Sequence, residues 1–221
     1  CNPHNPIGKV YTRDELARIS AIVARHDARV FADEIHAPLV FEGQRHVPYA
    51  ALNEAAARQA ITAVSASKMW NLAGLKCAQF VFTRDQDRTL WRSIGHHLND
   101  ATSTWGVIAH TAAWAHGEPW RQQVLAYLQG NRDLLTRHLA AHLPQIGYTP
   151  AQGTYLAWLD CRALALPPTP QVFFRQHAKV AMTDGGDCGD GGQGHVRFNF
   201  ALPRPLLVQA VQQMAQALAT R

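Results

Sequence analysis

Long apolar runs, paired cysteines and clustered basic residues are all missing from this sequence. No stretch approaches the roughly 20 apolar residues that cross a bilayer, and the first residues lack the charged and apolar segments of a signal peptide. The four cysteines form no Cys-X-X-Cys pair, which favours reduced thiols over disulfides or a zinc site. We therefore expect a cytoplasmic protein without a membrane partner.

The net charge of +5 does not by itself indicate nucleic-acid binding. Nucleic-acid-binding domains gather Lys and Arg on one face or along one helix, whereas here these residues are scattered along the chain. A basic surplus of this kind is compatible with affinity for anionic small molecules. We expect a small-molecule ligand and no nucleic-acid partner.

Helix and strand patterns alternate in the first part of the chain. Thr12 and Glu15 form a capping box, which predicts the start of an amphipathic helix. Short apolar runs predict strands at 29–32, 60–64 and 77–83. Strands separated by helices at this spacing are typical of a parallel sheet covered by helices.

The remainder of the chain predicts a second, α+β domain. A helical pattern runs over 102–142 and is broken at Gly117-Glu118-Pro119. We place the domains at residues 1–110 and 111–221. The elements predicted for the second domain are a strand at 154–160, a helix near 171–178, a strand at 196–200 and a helix from Pro205.

Polar residues follow two of the predicted strands. Asp33 and Glu34 end the first strand, and the segment 65–68 (Ser-Ala-Ser-Lys) ends the second. Ligands of parallel sheets bind outside the carboxyl ends of the strands. Either residue group alone is more often a solvated surface feature, but their coincidence at two strand ends predicts a ligand site.

Four segments together resemble the fold-type I enzymes that use pyridoxal 5′-phosphate (PLP), the aminotransferase class I/II superfamily. The segments are 2–8 (Asn-Pro-His-Asn-Pro-Ile-Gly), 32–36 (Ala-Asp-Glu-Ile-His), 65–75 and 196–199 (Val-Arg-Phe-Asn). Asp-Glu-Ile-His and Asn-Leu-Ala-Gly-Leu are most similar to the cystathionine β-lyase branch, the MalY/PatB-type C–S lyases. The resemblance implies an α/β fold: the latter half of a large parallel-sheet domain, then a smaller α+β C-terminal domain.

The resemblance assigns roles to individual residues. It makes Lys68 the Schiff-base lysine, which holds PLP and later moves the Cα proton of the substrate. Asp33 would keep the pyridine nitrogen protonated, so that the ring can accept electrons. The other cofactor contacts that it implies are Asn5 at the ring oxygen, Ser65 at the phosphate, His36 and Lys76.

Arg197 has support from the residue pattern as well. In Val196–Phe200 apolar residues alternate with Arg197 and Asn199, which places these two on the other face of a strand. A guanidinium binds a carboxylate with two parallel hydrogen bonds, as an amino-acid substrate requires. The solvent face of an edge strand is the alternative interpretation.

Some positions depart from the family pattern. Lys76 stands where many aminotransferases carry an arginine, and His36 stands where many carry a tyrosine, which favours the lyase branch. Pro38 replaces an acid that is common in that branch. The glycine-containing phosphate loop, the stacking aromatic and the tyrosine that reaches the partner subunit are absent, so we expect a fragment of a longer, homodimeric protein.

The expected reaction is α,β-elimination on cystathionine or a related cysteine thioether, giving pyruvate, ammonia and a thiol. Transamination of an amino acid uses the same machinery, and a non-catalytic aminotransferase-like fragment or binding module is a third hypothesis.

No metal site is expected. The paired histidines of one helix have no third ligand, and the acidic glycine-rich segment lacks the glutamate of a calcium loop, so we interpret it as a mobile loop. The residues concerned are His138, His142, Asp184, Asp187 and Asp190.

Overall fold

The computed structural model describes residues 1–221 apart from the side chain of His96. The residues group into two compact units, of which unit 1 comprises 1–4 and 9–125 and unit 2 comprises 5–8 and 126–221. The short segment 5–8 therefore belongs with the C-terminal residues. The predicted domain boundary at residue 110 stays a prediction.

Unit 1 contains the first eight regular elements and the start of a ninth. Helix α1 begins where the capping box predicts, since Thr12 Oγ1 accepts the Glu15 N–H at 3.2 Å and the Glu15 carboxylate accepts the Thr12 N–H at 2.9 Å. The elements are α1 (Arg13–Arg25), β1 (Val30–Asp33), α2 (Glu54–Gln59), β2 (Ala60–Val64), β3 (Gln79–Phe82), α3 (Asp85–Ile94), α4 (His96–Asn99), α5 (Thr104–His116) and α6 (Glu118–His142).

The sheet of unit 1 has the order β1-β2-β3. β1 and β2 are parallel, as predicted, with Asp33 opposite Ala63. β3 is antiparallel to β2, so the prediction of a parallel sheet is wrong for this strand. Parallel neighbours need a crossover, usually an α-helix, but the segment between β2 and β3 contains turns and a single 3₁₀ turn, Ala73–Leu75. β3 lies at the sheet edge and leaves Phe80 and Val81 exposed.

Apolar packing fixes β1 and β2 against the helices. Leu16 of α1, Ala32 of β1, Ala56 of α2 and Ala60 of β2 form one buried cluster with Tyr49. The burial of these side chains is the main favourable contribution to holding the strands in place. The residues that follow the two strands are therefore attached to a rigid support.

Unit 2 is built on a four-stranded antiparallel sheet of order β4-β5-β7-β6. Buried apolar side chains from both the sheet and the helices, including Leu159, Val196, Phe198 and Leu207, form its core. The predicted strands and helices of this region are found within a few residues of their predicted limits. The elements are β4 (Gly147–Tyr148), β5 (Leu156–Asp160), α7 (Pro170–Phe173) continued by a π-helical turn (Phe174–Ala178), β6 (Thr183–Asp184), β7 (His195–Asn199) and α8 (Arg204–Ala219).

α6 is the longest of these helices and carries charged residues along its length. Among the residues that the structure describes, no helix combines the length and the apolar character required to span a membrane.

Candidate functional site

Lys68 and Asp33 follow neighbouring parallel strands of unit 1. Asp33 is the last residue of β1, and the Glu34 N–H that follows it donates to the Ala63 carbonyl of β2 at 2.9 Å. β2 ends at Val64, and Lys68 lies four residues later in a turn, with its side chain half-buried. Because the strands are parallel, both residues lie at the carboxyl ends of the strands, on the same side of the sheet. Parallel sheets bind ligands at these carboxyl ends.

The two acids at the end of β1 have different surroundings. Glu34 is only 4% exposed; its Oε1 accepts the Tyr49 N–H at 2.8 Å and its Oε2 lies 3.1 Å from His46 Nε2. The half-buried Asp33 accepts one backbone N–H, that of Ile35, at 3.2 Å. Glu34 therefore holds the loop before Tyr49 in place, whereas Asp33 keeps capacity for a further partner.

Hydrogen bonds from serine hydroxyl groups to the Cys77 carbonyl tie the Lys68 turn to the chain that leads into β3. The buried Ser65 hydroxyl lies 2.8 Å from Ser67 Oγ and 2.9 Å from the Cys77 carbonyl oxygen, and it accepts the Ser67 N–H at 3.0 Å. A hydroxyl has one proton to donate. A phosphate contact from Ser65 would therefore replace one of these bonds, and that role stays a prediction.

His110 of α5 belongs to the same polar cluster and was not singled out by the sequence. Its Nδ1 lies 3.5 Å from Gln79 Nε2, and its Nε2 lies 3.4 Å from Ser67 Oγ. An amide nitrogen only donates, so Nδ1 accepts and Nε2 carries the ring proton toward Ser67. The ring is 1% exposed, and this burial lowers the pKa of His110, which agrees with a neutral imidazole. One histidine in an apolar helical stretch gives no sequence signal of this contact.

His110→Gln should reduce the sensitivity of the protein to acid. The folded-state pKa of His110 is lowered by burial, so the unfolded chain takes up a proton near pH 6.5 while the native ring stays neutral. The stabilisation of the folded state by neutral His110 is therefore complete above about pH 6.5 and is lost as pH falls below it. Thermal melting between about pH 7 and pH 5 should show a smaller decrease in Tm for the variant than for the parent.

The exposed His116 lies on the same helix and provides the matched control. His116→Gln should keep the pH dependence of the parent. An equal decrease in Tm for His110→Gln and the parent would contradict a neutral, buried His110.

His36 and Lys76 lie in different environments within unit 1. The His36 side chain is 2% exposed and lies in the turn after β1. Lys76 is exposed and has a left-handed backbone, with φ of 53°. Gly106 of α5 permits this arrangement, because a side chain at that position would collide with the Leu75 carbonyl. The Lys76 ammonium is thus accessible to an anion, whereas a cofactor contact from His36 would require a buried partner.

Arg197 and Asn5 are bonded to each other in unit 2. Arg197 is half-buried on β7 between the buried Val196 and Phe198, as the alternation predicts. Its Nη1 donates to Asn5 Oδ1 at 2.9 Å and its Nη2 donates to Thr183 Oγ1 at 3.1 Å. No carboxylate among the described residues lies within ion-pair distance of the guanidinium. Its charge is therefore not neutralised within the part of the chain that the structure describes.

The glycine-rich segment before β7 has regular structure. It forms two 3₁₀ turns, Gly185–Cys188 and Asp190–Gly192, and the Asp184 carboxylate accepts the Gly186 N–H at 2.9 Å. The backbones of Gly185 and Gly192 approach so closely that neither position has room for a side chain. No group of three or more His, Cys, Asp or Glu side chains that could hold a metal ion occurs among the described residues.

The family model for aminotransferase class I and II matches residues 1–214. The chain therefore belongs to the aminotransferase class I and II family. The family predicted from the four segments is confirmed.

Some of the relatives are named as lyases. The cystathionine β-lyase of Corynebacterium glutamicum is 38% identical over 221 residues, which cover 99% of this chain and 58% of the relative. Protein MalY of Escherichia coli is 34% identical over 99% of this chain and 56% of its own length. The crystal structure of the PLP-bound C–S lyase from Staphylococcus hominis has a TM-score of 0.91 and 30% identity, covering 99% of this chain and 57% of that one. The predicted fold class is confirmed, and the chain spans less than two thirds of the length of these relatives.

Proposed function

We propose that the complete protein containing this chain is a PLP-dependent C–S β-lyase. Its substrate would be cystathionine or a related cysteine thioether, which it would cleave with water to pyruvate, ammonia and a thiol. The observation that carries the proposal is that Lys68 and Asp33 both lie at the carboxyl ends of two parallel, neighbouring strands. The names of the relatives support cleavage of a carbon–sulfur bond over transamination.

The side chains of unit 1 fit the chemical groups of PLP. Lys68 offers an amine to the aldehyde, and Asp33 offers a carboxylate to the pyridine nitrogen. That carboxylate accepts only one backbone hydrogen bond within the described chain. Ser65 and the exposed Lys76 would offer a hydroxyl and a positive charge to the phosphate, with the Ser65 hydroxyl giving up one of its present hydrogen bonds. These side chains match all three groups of PLP, which are the electrophilic aldehyde, the basic pyridine nitrogen and the dianionic phosphate. A hydrophobic pocket that contained only acids would not.

PLP supplies an aldehyde that captures the substrate amine and a ring that accepts the electrons of the Cα–H bond. Lys68 has two tasks in the proposal: its amine binds the cofactor, and it then removes the Cα proton as a general base. Asp33 keeps a proton on the ring nitrogen, since a carboxylate stabilises the adjacent positive charge. Removal of the Cα proton would let the Cα–H electron pair become a Cα–Cβ double bond, while the bond from Cβ to sulfur breaks and its electrons leave with the thiolate.

Arg197 would bind the α-carboxylate of the substrate. A guanidinium donates two parallel hydrogen bonds to a carboxylate, and three of its five N–H groups are not used by Asn5 and Thr183. The Asn5 oxygen accepts from Arg197, so its amide nitrogen is the group that would donate to a cofactor oxygen. We propose this contact as the role of Asn5.

The test is product formation without an amino acceptor. The complete protein, supplied with PLP and cystathionine but no 2-oxo acid, should release pyruvate and thiol in equal amounts. Product that appears only after a 2-oxo acid is added would identify an aminotransferase. The absence of both reactions, together with no binding of PLP, would identify a non-catalytic aminotransferase-like protein.

A homodimer in the cytoplasm is part of the same proposal. The support for it is the family membership. Analytical ultracentrifugation of the complete protein tests the dimer.

A further inference from the structure

The Arg197 guanidinium is fixed at two points by neutral groups. The Asn5 amide oxygen and the Thr183 hydroxyl each accept one N–H, at 2.9 and 3.1 Å. Neutral acceptors restrict the rotation of a long side chain without cancelling its charge, whereas an acid in either place would form an ion pair and compete with an incoming carboxylate. The arrangement orients the positive charge and keeps it available.

Thr183 is placed by the register of the sheet. β6 and β7 are antiparallel, and Thr183 lies directly opposite Arg197. Side chains of directly opposite residues lie on the same face and within reach of each other. A threonine is branched at Cβ and has few χ1 rotamers, so its hydroxyl has a defined direction. A flexible serine or a long amide would fix the guanidinium less firmly.

The glycine-rich segment supports this placement. β6 has only two residues, Thr183 and Asp184, so its own hydrogen bonds hold it weakly. The Asp184 carboxylate caps the turn that follows, and Gly185 packs backbone to backbone on Gly192. The loop is thereby closed on itself directly after Thr183, which explains why glycines are required there.

The surroundings of Arg197 on the other strand are also neutral. Tyr155 precedes β5, and burial raises the pKa of its phenol, although Arg197 nearby opposes the shift. The phenol is therefore protonated at neutral pH. Uncharged groups of Asn5 and Thr183 thus accept hydrogen bonds from the guanidinium, and the phenol that Arg197 influences at Tyr155 is neutral as well.

We propose that Thr183 is a positioning residue that orients Arg197 for the α-carboxylate of an amino-acid ligand. The inference rests on the proposed function only in requiring an amino acid as the ligand, and it does not depend on which bond is cleaved. Thr183 acts through Arg197 and does not itself bind the reacting atoms.

The experiment compares Thr183→Val with Thr183→Ser in the complete, PLP-loaded protein. Valine keeps the branched shape but cannot accept a hydrogen bond, whereas serine keeps the hydroxyl. The probes are L-alanine and L-alaninamide, which differ only at the carboxylate, and binding is measured by the change in cofactor absorbance. Thr183→Val should raise the Kd of L-alanine roughly three- to tenfold, which is the range for one lost hydrogen bond.

Because L-alaninamide lacks the carboxylate, it distinguishes a lost orientation of Arg197 from a general disturbance of the fold. Thr183→Val should leave the Kd of L-alaninamide unchanged, and Thr183→Ser should restore most of the affinity for L-alanine. If Thr183→Val weakens both ligands equally, or neither, Thr183 is a structural residue and the proposal is wrong. A parent protein that does not distinguish the two ligands overturns it as well, because Arg197 is then no carboxylate site.

A double-mutant cycle tests whether Thr183 affects ligand binding through Arg197. Arg197→Lys keeps the charge but not the planar fork, and it should raise the Kd of L-alanine roughly ten- to a hundredfold. In that background Thr183→Val should have little further effect, since lysine has no planar fork for the hydroxyl to orient. Additive effects would contradict the proposal. A failure of the lyase test with L-alanine binding and the Thr183 effect intact would remove the proposed reaction and leave this inference standing.

Discussion

Lys68→Ala should lower kcat/KM for thioether cleavage by roughly a hundred- to ten-thousandfold, because a general base contributes about that factor to a reaction. The covalent attachment of the cofactor should be lost in the same variant, since alanine offers no amine. Lys68 lies in a turn after β2 with a half-buried side chain, so its removal should leave the melting temperature nearly unchanged. The measurements are steady-state kinetics, cofactor absorbance and a melting curve on the complete protein.

Lys76 is the control for Lys68. It is exposed and lies eight residues later, and Lys76→Ala removes a charge without removing the base. This variant should retain covalent attachment of the cofactor and weaken its binding. Reduction of the parent with borohydride followed by peptide mapping should give a pyridoxyl adduct on Lys68, and an adduct on Lys76 would overturn the assignment.

Asp33→Asn should lower kcat by roughly a hundred- to a thousandfold, the factor that follows from removing one electrostatic partner of a developing charge. Asparagine has nearly the same shape and can still accept the Ile35 N–H, which is the one hydrogen bond that the Asp33 carboxylate makes in the described chain. The melting temperature should therefore change little. Steady-state kinetics at saturating PLP measures the effect, so that weaker cofactor binding does not contribute.

The neighbouring Glu34 should show the opposite behaviour. Glu34→Ala leaves the buried Tyr49 N–H and His46 without their acceptor, and the free energy of unfolding should fall by about 1–3 kcal/mol. The kcat of the molecules that remain folded should be close to that of the parent. If Glu34→Ala loses kcat while Asp33→Asn keeps it, the two acids have exchanged roles and the proposed cofactor contact is wrong.

Features that depend on local sequence could be predicted. The capping box fixed the start of α1, and the apolar run 60–64 gave the bounds of β2, because caps and strand composition are properties of neighbouring residues. The position of Lys68 beyond β2 follows from the same run. The alternation in 196–200 predicted correctly that Arg197 leaves the packed face.

Features that depend on pairing between distant segments could not be predicted. The antiparallel direction of β3 and the Thr183–Arg197 register are set by tertiary packing. The His110 contact with Ser67 joins residues 43 positions apart and leaves no periodic pattern. The distinction between Asp33 and Glu34 likewise needs the position of Tyr49, because a sequence shows two adjacent acids and not what each of them contacts.

The exposed side of β3 has a consequence for handling the protein. In the described chain no strand pairs with its outer edge, and Phe80 and Val81 are 43% and 46% exposed there. An uncovered strand with apolar side chains is a template for pairing between molecules, and proteins normally protect such edges with charge, proline or a covering segment. A preparation limited to these 221 residues would therefore be prone to aggregate through β3.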